Sequence, residues 1–231
     1  RQGSGLSDSH KLYEEIRGVI TGATTASGWR SREEYLELGV KQSIFPEAER
    51  PRVYDLFERY LAFLGEQGLY DPNLVAHDHL ALVQPGYDFV VIDEVQDITN
   101  VQLYLILKSL REPGQFLLSG DANQIVHPNF FSWASVKSLF FHEHDLTRHG
   151  EVVRILHANY RNAPLVTALA NRILKIKHAR FGSVDRESNY LIHSAVEQSG
   201  QVQLLENRET LKRELDNRTA RSTRFAVIVL H

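Results

Sequence analysis

The sequence predicts an α/β protein: parallel strands layered with helices, preceded by a mostly helical N-terminal region. Three observations carry this. Phe89–Ile92 is an unbroken apolar run of strand length, the pattern of a strand covered on both faces in a parallel sheet. After residue 85, apolar runs alternate with helical patterns, as parallel layers require. Residues 1–84 instead hold amphipathic stripes and turn signals without strand patterning.

Each element has its own signal. Residues 1–10 are Gly/Ser-rich and read as loop. Leu12, Ile16, Val19 and Ile20 share one side of a helix over His10–Ile20. Ser31 with Glu34 three residues on is a capping-box pattern opening a helix over Arg32–Leu38. Pro51 suits a first helical turn, and Val53, Leu56, Phe57, Tyr60, Leu61 and Leu64 make a stripe that ends near Gly65–Gly68. A further helix covers Pro72–Val83. Then come the strand at Phe89, a helix over Val101–Leu110 capped by Thr99, and a strand over Gln115–Ser119. Trp133–Phe141 reads as a short helix, Val152–Leu156 as a strand, and Pro164–Ile176 as an apolar helix. His178–Gly200 is polar and irregular. Gln201–Leu205 reads as strand, Glu209–Leu215 as helix and Phe225–Leu230 as a buried strand.

Composition narrows the function classes. The 231 residues carry a net charge of −3, so nucleic-acid binding would rest on a local groove and not on bulk charge. No apolar run has membrane-spanning length, and no signal peptide is evident. The expectation is an intracellular protein: cytoplasmic or nucleoid-associated if bacterial, nuclear if eukaryotic. Cys and Met are both absent, which excludes disulfides and cysteine-ligated metal. A chain without Met that opens at Arg1 reads as a window of a longer protein.

The chemistry concentrates in three places. Asp93 and Glu94 stand at the C-terminal end of the Phe89 strand, within YDFVVIDEVQD. Ligands of open α/β sheets bind at such strand ends. An Asp there can hold a magnesium ion that bridges nucleotide phosphates, and the adjacent Glu can orient or deprotonate water. The second place is LLSGDANQ, Leu117–Gln124: Gly120 permits a tight turn, and Gln124 can donate to a phosphate oxygen or to water. The third is LHANYR, Leu156–Arg161, where Arg161 is a candidate phosphate-binding guanidinium. Histidine clusters at His77–His79 and His142–Asp145 lack the helical i, i+4 ligand spacing and read as solvated loops. Lys108, Arg111, Lys137, Arg148 and Arg154 are candidate groove cations or solvated charges.

The order DExQD, GDxxQ, LxxNYR, between about Phe89 and Asn171, resembles superfamily 1 helicases of the UvrD/Rep/PcrA type, as their motifs II, III and IV. The resemblance implies RecA-like P-loop NTPase layers. Residues 1–84 would be a helical insertion-like region, 85–147 part of a first RecA-like ATPase domain and 148–231 the start of a second. It implies ATP and Mg as cofactors, with Asp93 at the metal, Glu94 activating water, Gln124 sensing the γ-phosphate, and Arg161 contacting that phosphate from the second domain. It implies single-stranded or partly duplex DNA as partner, 3′ to 5′ movement, and repair or recombination as context.

The sequence departs from the family pattern in places. Motif III of the family runs from its Gln into an aromatic, a Trp and an Arg; here IVHPNFFSWAS follows Gln124, and Ala134 stands at the Arg position. Phe131 and Trp133 either stack on bases of a single strand or are buried under the sheet. No GxxxxGK[ST] occurs and the chain ends at FAVIVLH, so this window is expected to hold part of one ATP site. Two function classes follow: a motor, or a helicase-like module without turnover that binds nucleic acid or protein.

Overall fold

The computed structural model describes residues 5–25, 28–40, 42–124, 133, 136, 153–182, 189–203, 206 and 208–220. The chain forms two units, one of residues 1–154 with 182–189 and the other of 155–181 with 190–231.

The first unit opens with α1 (Ser9–Glu14), capped by Asp8, whose carboxylate accepts from the N–H groups of His10 and Lys11, both at 3.1 Å. The helix widens into a π-helical turn over Glu15–Ile20, closed by Thr21 N–H donating to Ile16 O at 2.8 Å. α2 (Arg32–Leu36) carries the full capping box: Ser31 Oγ accepts from Glu34 N–H, and the Glu34 carboxylate accepts from Ser31 N–H at 2.8 Å. α3 (Arg50–Gln67) has Pro51 in its first turn and ends at Gly68, whose φ of 61° is left-handed. α4 (Pro72–His79) is capped by Asp71.

These helices enclose one core: Ile16, Val19, Ile20, Tyr35, Phe45, Val53, Tyr54 and Phe57. The stripe on α3 supplies its share, as periodicity predicts. Two charged groups are buried inside it. Glu15 accepts from Tyr35 Oη at 2.7 Å, Ile44 N–H at 2.9 Å and Ser43 Oγ. Arg50 donates to the carbonyls of Leu36, Leu38, Gly39 and Phe45. Buried charge persists only with such partners.

Beyond α4 the chain enters β1 (Val90–Ile92), α5 (Asn100–Lys108) and β2 (Phe116–Leu118). β1 and β2 are parallel, in register Val90 to Phe116, Val91 to Leu117 and Ile92 to Leu118. Ile92, Leu118, Ile98, Leu107 and Trp133 pack on a second core of Val95, Leu103, Ala122 and Val136. The expectation of a strand covered on both faces is corrected here: Val91 is 65% and Leu117 58% exposed. Helix α5 and its neighbours cover one face only, and among the described residues no layer covers the other.

A polar knot joins the helical region to the chain beyond β1. Buried Asn73 donates to Arg17 O (2.7 Å) and Thr21 Oγ1 (3.0 Å), and accepts from Thr99 Oγ1 (2.7 Å). Around it, Val101 N–H donates to Gly22 O at 3.1 Å, Arg17 to Asp97 O at 3.1 Å, and His77 Nε2 to Thr21 O at 2.8 Å.

The second unit holds β3 (Ala158–Asn159) parallel to β4 (His193–Ser194), with α6 (Pro164–Phe181) and α7 (Glu209–Thr219). The expected strand over Val152–Leu156 is displaced: residues 153–156 are not strand, because the pairing bonds run instead from His193 N–H to His157 O and from Ala195 N–H to Asn159 O. Residues 201–203 are likewise not strand, and β4 falls inside the stretch read as irregular. The strand expected at Phe225–Leu230 lies outside the described residues.

Candidate functional site

The parallel pairing of β1 and β2 brings their C-terminal ends together, and both motifs begin there. Asp93 follows Ile92; Ser119, Gly120 and Asp121 follow Leu118. The ladder continues past the strands: Ser119 N–H donates to Ile92 O at 2.8 Å, and Val95 N–H to Ser119 O at 2.9 Å. The two ends are therefore fixed against each other by backbone, before any side chain contributes.

Asp93 is exposed, and its Oδ1 accepts from Ser119 Oγ and from Glu94 N–H at 3.0 Å. The Ser119 hydroxyl, then the backbone N–H, hold this carboxyl below the usual carboxylate range. Glu94 has φ of 51°, the sole left-handed non-glycine among the described residues. That conformation costs about 1–3 kcal/mol and clusters at functional sites. It turns the chain sharply out of β1 into the short 3₁₀ turn Val95–Asp97, so that Val95 enters the core while Glu94 stays exposed.

Gln96 lies beneath, 6% exposed. Its Nε2 donates to Glu94 Oε2 at 2.7 Å, and its Oε1 accepts from Asp121 N–H at 3.0 Å. Gly120 makes this approach possible: a Cβ there would lie 2.6 Å from Gln96 Oε1 and 2.8 Å from Val95 Cγ1. Asp121 in turn closes the next turn, its carboxylate accepting from Asn123 N–H at 2.8 Å and Gln124 Nε2 at 3.2 Å.

Asp93, Glu94 and Gln124 thus belong to one hydrogen-bonded assembly in the first unit. Arg161 belongs to the second unit, exposed just past β3, where Asn159 Oδ1 accepts from the N–H groups of Arg161 (2.8 Å) and Asn162 (2.9 Å). Trp133 is half-buried against the second core. Phe131, the His142–Asp145 cluster, Lys137 and Arg148 lie outside the described residues. Lys108 donates to Leu80 O at 2.9 Å, and Arg111 pairs with Asp88 at 2.5 Å. Arg154 is exposed.

Sequence reasoning missed Ser119 and Gln96 as members of the site. The signal for Ser119 was a hydroxyl one residue before GD at the end of a neighbouring strand. Gln96 was visible as the fourth residue of DExQ, without a reason for its burial.

Hard oxygen donors at an open strand end suit a divalent ion such as magnesium, which takes one or two carboxylates and completes its shell with water and phosphate oxygens. Among the described residues, no group of three or more His, Asp or Glu is placed to hold a metal by protein ligands alone. The Asp93 carboxylate with Ser119 beside it fits the sparser arrangement.

No protein-family model matches the chain. Over 100 residues, 42% of the chain, it is 34% identical to the ATP-dependent DNA helicase UvrD2 of Mycobacterium tuberculosis and of Mycobacterium bovis. Over 183 residues, 71% of the chain, it is 25% identical to the human TPR and ankyrin repeat-containing protein 1. The chain spans 13% of the length of UvrD2 and 6% of that of the human protein. Part of the chain is therefore similar to a DNA helicase, at modest identity. No helix among the described residues is long and apolar enough to cross a membrane.

Proposed function

We propose that the chain is part of an ATP-dependent DNA helicase or translocase acting on single-stranded DNA, and that its two units belong to two RecA-like layers. The observation that carries this reading is the juxtaposition of Asp93–Glu94 with Gly120–Gln124 at the ends of paired parallel strands. The similarity to a DNA helicase supports it independently. In this reading Asp93 holds magnesium, which supplies charge neutralisation at the nucleotide phosphates. Glu94 orients the attacking water and takes its proton as the bond to the γ-phosphoryl group forms and the β–γ bridging bond breaks. Gln124 contacts the γ-phosphate, and Arg161 is the candidate phosphate-binding guanidinium of the second unit. The products are ADP and phosphate. Phe131 and Trp133 are the candidate DNA-stacking aromatics, and the half-buried Trp133 offers a base only its exposed edge.

A second reading is a helicase-like module without turnover, serving nucleic-acid or protein interaction. It draws on the longer match to a protein named for its repeats and not for an activity.

ATP hydrolysis by the full polypeptide, with and without single-stranded DNA, separates the two. The motor shows DNA-stimulated hydrolysis that Glu94→Gln abolishes while nucleotide binding persists. An absence of hydrolysis in the unaltered full polypeptide, with nucleic-acid or protein binding retained, selects the module.

A further inference from the structure

We infer that Gln96 is a positioning residue: its carboxamide holds the Glu94 carboxylate in one orientation and ties that orientation to the Gly120–Asp121 turn. The inference rests on the reading of Glu94 as the group that orients water, and it adds a residue to which no role in turnover has so far been given.

The chemistry of the two contacts fixes which way the amide points. A backbone N–H only donates, so the Gln96 atom facing Asp121 N–H at 3.0 Å must be the carbonyl oxygen. The other end is then the NH₂ group, and it meets Glu94 Oε2 at 2.7 Å, an acceptor when ionised. A carboxamide is the side chain whose two ends satisfy both partners at once. Its surroundings leave it little freedom. Val95 beside it is fully buried, Gly120 stands where any Cβ would collide with Oε1, and Arg17 holds the carbonyl of the next residue, Asp97.

The consequence is directional. One oxygen of Glu94 is held by protein, while among the described residues no donor reaches the other, Oε1. That leaves Oε1 for water. Any movement of the Asp121 turn, to which Gln124 is bonded at 3.2 Å, is transmitted through Gln96 to Glu94. The residue expected to meet the γ-phosphate and the residue expected to orient the water are thus linked through one buried amide.

The test uses Gln96→Glu and Gln96→Leu in the full polypeptide, measuring kcat and KM for ATP at fixed pH with saturating single-stranded DNA, beside thermal stability and the concentration of active sites. Gln96→Glu keeps an acceptor for Asp121 N–H but no longer donates to Glu94. Both variants lower kcat per active site roughly 100-fold, the scale on which a small misplacement acts, with KM within about two-fold. A purely structural role lowers thermal stability and the active fraction in both variants but leaves kcat per active site unchanged, which overturns the inference. So does an active parent whose Gln96→Leu variant keeps its kcat. An inactive parent overturns the functional reading, and this inference with it; an active parent with unmoved variants overturns this inference alone.

Discussion

The Ser119 hydroxyl donates to Oδ1 of Asp93 across the gap between the ends of β1 and β2. A residue just past one strand thereby favours the ionised form of a residue just past the other. The same contact is the first cause of the depressed Asp93 carboxyl.

Ser119→Ala should release that carboxyl upward toward its ordinary value near 3.9. The sign follows from the direction of the shift. A depressed folded-state carboxyl contributes stability above its unfolded value, and loses it as pH falls through the folded value. The variant should lack this contribution, so its stability should fall less steeply than the parent's as pH drops below about 4, and it should bind magnesium–nucleotide more weakly. Side-chain carbon NMR of Asp93 against pH reads the first effect, and nucleotide titration at fixed magnesium the second.

Asn73→Ala should be among the costlier single replacements in the first unit. It takes the acceptor from the buried Thr99 hydroxyl and a donor from Arg17 O and from Thr21 Oγ1, which keeps its own bond to Ile16 O at 2.9 Å. Leaving a buried polar group without its partner costs roughly 1–3 kcal/mol, so a net loss of about 2 kcal/mol is expected. Urea unfolding should show a lower midpoint with an unchanged slope.

Tyr35 and Tyr60 give the first unit an alkaline limit. Burial, then the nearby carboxylates Glu15 and Asp71, raise both phenols. An acid raised by folding contributes stability that is full below its unfolded value, about 10, and is lost as pH rises through the folded value. Stability measured between roughly pH 8 and 11 should therefore fall at the top of that range. The Tyr35→Phe, Tyr60→Phe double variant should be less stable at neutral pH, by about 1 kcal/mol per lost hydrogen bond, with a flatter alkaline slope.

Two glycines should respond to alanine with opposite signs. At Gly120 the new Cβ would sit 2.6 Å from Gln96 Oε1 and 2.8 Å from Val95 Cγ1, and overpacking of that kind costs about 1–3 kcal/mol. At Gly65, inside α3, a Cβ meets nothing within 4 Å, and Gly→Ala in a helix interior stabilises by about 0.5–1 kcal/mol. Thermal melts of the two variants beside the parent decide both.

What the sequence revealed was local. Ser31 and Glu34 announce their capping box because both partners lie within one turn. The Val53–Leu64 stripe announces its buried face because one helix carries it. Asp93 and Glu94 could be placed at a strand end because the apolar run stops there. Relations between distant segments left no such mark. The strand reading gave β1 two buried faces, yet Val91 is exposed, because apolar character does not say whether a covering layer is present. Nothing local marks Arg50 and Glu15 as buried, since their partners, between Tyr35 and Phe45, come from a separate stretch of chain. The helix over Pro72–Val83 places His77 on α4, but the reading of its cluster as solvated misses that His77 donates to Thr21 O. The π-turn that carries the chain to Thr21 has no signature in periodicity, since Ile16, Val19 and Ile20 fit an ordinary helix equally well.

The knot at Asn73 bears on how such a protein can change over generations. Its hydrogen bonds tie together three segments far apart in the chain: Arg17–Thr21, Asn73 and Thr99. Replacing Asn73 removes a partner from each of the others at once, so a change there is best tolerated beside matching changes at 21 and 99. Across descendants of a common ancestor, positions 21, 73 and 99 should vary together or stay put, while exposed positions such as Glu66 and Glu112 drift independently.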